Sequence, residues 1–223
     1  VEPLKRDLDG SGLAADHDLS QSQGLRHLGL RMGHHTGEVL ITLVSSHPLP
    51  GLKRLAQQWI QRWDQVKGVT LNLQPRRTNQ ILGSTTTVLA GDPTIREQFC
   101  GLELQLSTTT FFQINTPQAE AIVECLVHWL HQAAQHGPIV DAYCGIGTIS
   151  LPLAARGHRV VGIEINPDSI EQADRNATVN GLGPLTRFEA GDVADLLKQT
   201  LPGCSALVVD PPRRGLESTV VAA

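Results

Sequence analysis

Four residues at fixed spacing, Asp141, Gly145, Gly147 and Glu164, have the types that a nucleoside-binding crevice needs. Ile139-Val140-Asp141 is an apolar run ending in an acid, and Gly145-Ile146-Gly147 is a tight turn. Val160-Val161-Gly162-Ile163-Glu164 is a second apolar run ending in an acid. Alternating α/β sheets form such crevices at the carboxyl ends of their strands. Two glycines let the backbone approach a ligand where a Cβ would block it. Glu164, at the end of its strand, can accept hydrogen bonds from both ribose hydroxyls. The spacing predicts an adenosine pocket.

Two cofactor classes use this arrangement. A dinucleotide site wants G-x-G-x-x-G, with the pyrophosphate on the helix N-terminus and a third glycine for close helix–strand packing. Here Ser150 stands at the third position. Asp141 would repel a pyrophosphate, whereas it suits the ammonium of a methionine moiety. S-adenosylmethionine is therefore favoured over NAD.

The elements that must position these residues follow a βα rhythm from Thr116 onward. Helices are expected at 117–135, 148–156, 167–180 and 193–200, and strands at 138–141, 159–163, 185–190 and 206–210. Asn166-Pro167 supplies a cap and a first-turn proline to its helix. Such connections make a parallel sheet with helices on both faces. Asp141, Glu164, Asp192 and Asp210 all fall at or just after strand ends. Asp192 has two readings, acceptor for an adenine amino group or cap of the following helix. For Glu164 the ribose role is preferred, because Asn166 is already available as a cap.

Residues 25–110 read differently, as a strand-rich α+β domain. Strands are expected at 25–32, 38–44, 66–73, 80–82, 85–89 and 102–106, with a hairpin turn at His34-His35-Thr36-Gly37. Leu52, Leu55, Ala56, Trp59, Ile60 and Trp63 recur at helical spacing, which makes the tryptophans core residues. Residues 1–24, including Gln21-Ser22-Gln23, lack periodicity and read as a loop or flexible end. The net charge is −4, yet residues 24–110 hold nine basic and five acidic groups. That basic third is either an RNA-facing surface or a solvated face.

Cys100, Cys125, Cys144 and Cys204 are widely spaced, so no zinc or iron–sulfur site can be argued from them, and free thiols are expected. No apolar run approaches a membrane span and no basic-then-apolar leader opens the chain, so a soluble, cytoplasmic protein is expected.

Three motifs together resemble the RNA 5-methyluridine (uracil-C5) methyltransferases. They are Phe111-Phe112-Gln113-Ile114-Asn115-Thr116, Asp141-Ala142-Tyr143-Cys144-Gly145-Ile146-Gly147 and Asp210-Pro211-Pro212-Arg213-Arg214-Gly215; Arg77-Thr78-Asn79 also resembles a stretch of that family. Where amino-group methyltransferases place an aromatic residue after the Asp-Pro-Pro turn, this chain has Arg213, which disfavours methylation of an exocyclic amine. The resemblance implies a Rossmann-like class I methyltransferase sheet, truncated after its fourth strand and preceded by the small α+β domain. It implies S-adenosylmethionine as cofactor and RNA as partner, ribosomal ahead of transfer RNA. Gln113, Tyr143, Glu164 and Asp210 would contact the cofactor, with Gly145 and Gly147 shaping the loop.

Uracil C5 is a poor nucleophile, so such an enzyme adds a cysteine thiolate to C6, methylates the resulting enolate and removes the C5 proton with a base. In the family the cysteine and the base lie beyond the Asp-Pro-Pro-Arg turn. Cys144 is inside the cofactor loop and is no substitute. The chain is thus expected to be a fragment, without the family's N-terminal barrel or catalytic half, and inactive by itself. The rival readings are a non-catalytic RNA-binding module, an NAD-dependent oxidoreductase, and a small-molecule or cytosine methyltransferase.

Overall fold

A computed structural model describes residues 1–16, 24–133, 137–213 and 215–221. Gln21-Ser22-Gln23 and Arg214 therefore lie outside the described residues. The chain forms two compact units, Val1–Glu97 with Leu106–Thr109, and Gln98–Gln105 with Thr110–Ala223.

In the first unit, helix α1 (Glu2–Asp9) precedes strands β1 (Leu25–Met32) and β2 (Val39–Ser45), helix α2 (Leu52–Arg62), and strands β3 (Val66–Leu73) and β4 (Thr85–Gly91). The sheet order is β1-β2-β3-β4. β1 and β2 pair antiparallel, as do β3 and β4, while β2 and β3 are parallel and joined through α2. Leu52, Ala56 and Trp59 of α2 face Ile41, Leu43, Val69 and Leu71 of the sheet, and Trp59 has no solvent exposure.

Three expectations for this unit need correction. The first two dozen residues are not all loop: α1 places Leu4 and Leu8, one turn apart, into the same core as Trp59. Asp7 Oδ2 accepts a 2.9 Å hydrogen bond from Trp59 Nε1. Leu4 and Leu8 stand at i,i+4 on one face of an otherwise polar eight-residue helix, a stripe of two that is too short to stand out in the sequence. Residues 80–82 are not a strand. Their carbonyls are taken instead by a side chain: Gln74 Nε2 donates to Gln80 O at 3.2 Å and to Leu82 O at 3.1 Å. An unexpected strand, β5 (Thr94–Phe99), buries Ile95, Glu97 and Phe99 along one face. Glu97 is tolerated there because its carboxylate accepts from the backbone N–H groups of His34 and His35.

Strand β6 (Leu102–Ser107) pairs with β5 in a two-stranded sheet. The division at about residue 110 is less simple than expected, since residues 98–105 count with the second unit. There Asn176 Oδ1 accepts from Gln105 N at 2.8 Å, and Asn180 both accepts from Glu103 N and donates to Glu103 O.

The second unit continues with α3 (Thr116–Ala133), β7 (Ile139–Ala142), α4 (Ser150–Ala155), β8 (Val160–Glu164), α5 (Pro167–Val179), β9 (Thr186–Ala190), α6 (Val193–Thr200), β10 (Ala206–Val209) and α7 (Ser218–Val221). Its four strands are all parallel, in the order β10-β7-β8-β9. This is the Rossmann-like arrangement expected from the βα rhythm. The strand order reverses between β7 and β10, the place where doubly wound sheets open a crevice at their carboxyl ends. Among the described residues, no helix is long and apolar enough to cross a membrane.

Candidate functional site

The chain leaves β7 at Ala142 and turns through Tyr143–Thr148 into α4. Tyr143 has φ 68°, a left-handed conformation that costs a non-glycine residue about 1 kcal/mol. Its neighbours hold the turn: Cys144 N donates to Ile163 O at 3.0 Å and Gly147 N to Cys144 O at 2.9 Å. Gly145 (φ 55°) and Gly147 (φ 89°) differ in surroundings. A Cβ on Gly147 would lie 3.0 Å from Leu151 Cγ, whereas one on Gly145 would meet nothing within 4 Å. Gly147 lets α4 pack; Gly145 leaves open space beside the strand ends.

Glu164 closes β8 and is half-buried. Its Oε2 accepts from Gly145 N at 3.3 Å and its Oε1 from Asn166 N at 3.0 Å. A carboxylate offers about four lone-pair sites, so two amide bonds leave acceptor capacity for a diol. Asn166, not Glu164, caps α5, its side chain accepting from Asp168 N at 3.0 Å.

Asp141 lies one residue before the end of β7 and is fully buried. Ser150 Oγ donates to Asp141 Oδ2 at 2.6 Å, and Oδ1 is buried without a partner. Burial pushes its carboxyl pKa up to about 7; the Ser150 bonds oppose the rise, and the charges of Asp210 and Glu164 add to it. Asp141 itself presents no surface to solvent.

Asp192 is exposed just after β9 and its Oδ1 accepts from Ala194 N at 2.8 Å, so it caps α6. Asp210 is exposed just past β10, where its N–H donates to Ala142 O at 3.5 Å. Gln113 stands exposed ahead of α3. The structure thus gathers Asp141, Tyr143, Gly145, Gly147, Glu164 and Asp210 around the ends of β7, β8 and β10. Asp192 sits at the end of the neighbouring β9.

Cys144 is buried, and burial together with Asp141 and Glu164 pushes its thiol pKa up, away from the thiolate a nucleophile needs. Ser150 is the residue that sequence reasoning undervalued. It reads as a missing glycine, and nothing in its spacing announces a bond to Asp141. Cys100, Cys125, Cys144 and Cys204 are free thiols.

Comparison with known proteins agrees with this geometry. A family described as "Methyltransferase domain" matches residues 134–209. The chain is 81% identical, over its whole length, to an uncharacterized RNA methyltransferase of Parasynechococcus marenigrum, covering 48% of that protein. It is 42% identical over 207 residues to another from Nostoc, covering 92% of this chain and 45% of that one. An uncharacterized RNA methyltransferase of Oceanobacillus iheyensis is 33% identical over 222 residues, with 97% of this chain and 48% of that one covered. The chain thus spans about half the length of the curated relatives it matches. Among solved structures, the Pyrococcus abyssi tRNA (uracil-54, C5)-methyltransferase in complex with S-adenosyl-L-homocysteine superposes with a TM-score of 0.79. That match has 25% identity and covers 99% of this chain and 52% of the other. The likeness to RNA methyltransferases drawn from the three motifs is therefore shared by whole-chain sequence and by fold.

Proposed function

We propose, from a chain that shares its sequence with RNA methyltransferases and its fold with a uracil-C5 enzyme, that it carries the S-adenosylmethionine site of an RNA (uracil-C5) methyltransferase. The observation that carries the cofactor reading is electrostatic. Asp141, Glu164 and Asp210 converge at the ends of the parallel strands, and the latter two charges raise the proton affinity of the buried first, after burial itself. A cationic ligand relieves that repulsion, and a pyrophosphate aggravates it. The open space at Gly145 gives such a ligand room.

When bound, the cofactor supplies an electrophilic methyl group on a sulfonium. Glu164 accepts from the ribose hydroxyls with the lone pairs its two amide bonds leave. Asp192 accepts from the adenine amino group while it caps α6. Gln113, Tyr143 and Asp210 would supply further cofactor contacts, as the motif resemblance implies, and the buried Asp141 biases the site toward positive charge. The thiolate and the base that uracil C5 requires are assigned to residues of the full protein outside this chain. By itself the chain binds cofactor and does not transfer a methyl group.

An NAD reading is disfavoured by the same three carboxylates and by Ser150 at the third glycine position. Two measurements test the proposal. Titration calorimetry with S-adenosylhomocysteine should show binding that Glu164→Ala weakens by an order of magnitude or more, and no response to NAD. Nucleoside mass analysis of RNA treated with the full-length protein should give 5-methyluridine. A 5-methylcytidine or N-methylated product would overturn the uracil assignment while leaving the cofactor site. Ribosomal and transfer RNA offered separately identify the substrate, with ribosomal RNA expected.

A further inference from the structure

Helix α5 and the residue that ends it carry three amide side chains at four-residue spacing, Gln172, Asn176 and Asn180, which therefore stand in one row along the helix axis. Gln172 and Asn176 are buried along with Ile170, Ala173 and Ala177 of the same helix, and Asn176 has no solvent exposure at all. A buried amide costs stability unless its polar atoms are bonded. A side chain needed there only for packing would be apolar. Where the bonds of Asn176 go decides what it does.

Asn176 Oδ1 accepts from Gln105 N in β6 at 2.8 Å and from Gln172 Nε2 at 3.3 Å, and Asn176 Nδ2 donates to Ile146 O at 3.3 Å. The orientation of this amide is fixed by its partners. A backbone N–H only donates and a carbonyl only accepts, so the oxygen faces Gln105 and the nitrogen faces Ile146. Ile146 lies between Gly145 and Gly147, in the turn that leads from β7 to α4. Rotating the Ile146–Gly147 peptide plane changes ψ of Ile146 and φ of Gly147, and glycine adopts either sign of φ. The backbone alone leaves that plane free to turn, and two bonds hold it. Gly147 N donates to Cys144 O at 2.9 Å on one side, and Asn176 bonds Ile146 O on the other. Asn180 makes the contrast, since its side chain accepts from Glu103 N at 3.0 Å and donates to Glu103 O at 2.7 Å and Asn176 O at 2.8 Å. Those bonds go to β6 and to its own helix, and not to the turn.

We infer that Asn176 is a positioning residue for the cofactor turn: it holds Ile146 O, and through it the backbone that presents the Gly145 amide to Glu164 and keeps the space beside Gly145 open. Asn176 acts on a ligand through Ile146. The same amide anchors that turn to β6 through Gln105, so strand and turn share one fastening. Coupling of this kind is reciprocal: a residue that steadies the turn for a ligand has its own bonds steadied when the ligand binds. The inference rests on the cofactor reading given above.

The test titrates the full-length protein with S-adenosylhomocysteine by calorimetry, as wild type, Asn176→Ala and Asn180→Ala, with thermal melts beside each. Both variants strip bonds between the amide row and β6, and only the first strips a bond to the turn. Asn176→Ala should bind about tenfold more weakly, the worth of about one hydrogen bond to a buried carbonyl. Asn180→Ala should stay within about twofold of wild type, although its melting temperature falls as well. Because Asn176→Ala puts the fold at risk, hydrogen exchange on wild type gives a second readout. Bound S-adenosylhomocysteine should slow exchange of the Gln105 amide, which Asn176 holds, at least about threefold more than that of the Glu103 amide, which Asn180 holds. Unchanged affinity in Asn176→Ala, an equal loss in both variants, or equal protection of the two amides would overturn the positioning role alone. A wild type silent toward S-adenosylhomocysteine would overturn the cofactor reading and the positioning role with it.

Discussion

Ser150, the first residue of α4, donates a 2.6 Å hydrogen bond to the buried Asp141 near the end of β7. Strand, loop and helix are thereby closed into a ring around one carboxyl group. That group has Asp210 and Glu164 acting on it and a second oxygen, Oδ1, left unpartnered.

A pH dependence of stability follows. Asp141 titrates near 7 when folded, chiefly through burial, against about 3.9 in an unfolded chain. The folded state holds the proton more tightly, so the contribution is fully present below about pH 4. It is lost as pH rises through about 7, and amounts to about 4 kcal/mol. Asp141→Asn should flatten the stability profile between pH 4 and 7, as read from urea unfolding at each pH. An unchanged slope in the variant would place the titration elsewhere.

Ligand binding should report on the same group. The ammonium of S-adenosylhomocysteine favours the ionised form of Asp141, so binding near pH 7 should release up to about one proton. Calorimetry in two buffers of different ionisation enthalpy measures this number. Affinity should rise with pH between about 6 and 8, and Asp141→Asn should abolish both effects.

Glu164→Ala should weaken S-adenosylhomocysteine binding roughly tenfold to a hundredfold, the loss of charge-assisted bonds to a diol. It should also cost about 1–2 kcal/mol of stability, because Gly145 N and Asn166 N lose their acceptor. Glu164→Gln should keep more of the stability than of the affinity. A variant as tight-binding as wild type would remove Glu164 from the site.

The two loop glycines should separate stability from binding. Gly147→Ala meets Leu151 at 3.0 Å and forces alanine to φ 89°, so it should destabilise by about 2 kcal/mol or more. Gly145→Ala has open space and a milder φ of 55°, so it should cost about 1 kcal/mol while lowering cofactor affinity the more. Thermal melts beside calorimetry distinguish the two; identical behaviour would mean the opening at Gly145 is not where the ligand sits.

The parallel sheet is legible in the sequence because its buried strands are short apolar runs and Asn166-Pro167 punctuates a helix start. The acids at the strand ends are legible for the same reason, since strand ends fix their positions. What is hidden is anything decided by a partner far along the chain. Glu97 looks like a surface acid, yet it is buried under the amides of His34 and His35. Residues 80–82 look like a strand, yet the Gln74 side chain bonds the carbonyls of Gln80 and Leu82. The enclosure of Asp141 is likewise a matter of packing, which no spacing encodes.

Helix α1 gives the clearest check on such hidden contacts. Leu8→Ala should destabilise the first unit by about 2–3 kcal/mol, as a core leucine does, and Asp7→Ala by about 1 kcal/mol through the lost Trp59 bond. Denaturant unfolding followed by tryptophan fluorescence reads both. No loss in either variant would mean that α1 contributes nothing to the core.

The Asn72 and Gln74 anchors carry a further consequence for how this protein can change. They fasten the 75–84 loop by its backbone, and Gly83 must stay bare because a Cβ would sit 1.9 Å from Leu73 O. Between the anchors the Thr78 side chain adds to the frame, its Oγ1 accepting from Gln80 N at 3.2 Å. An exposed side chain such as Ile81 can thus be exchanged freely, with Asn72, Gln74, Thr78 and Gly83 kept as a fixed frame.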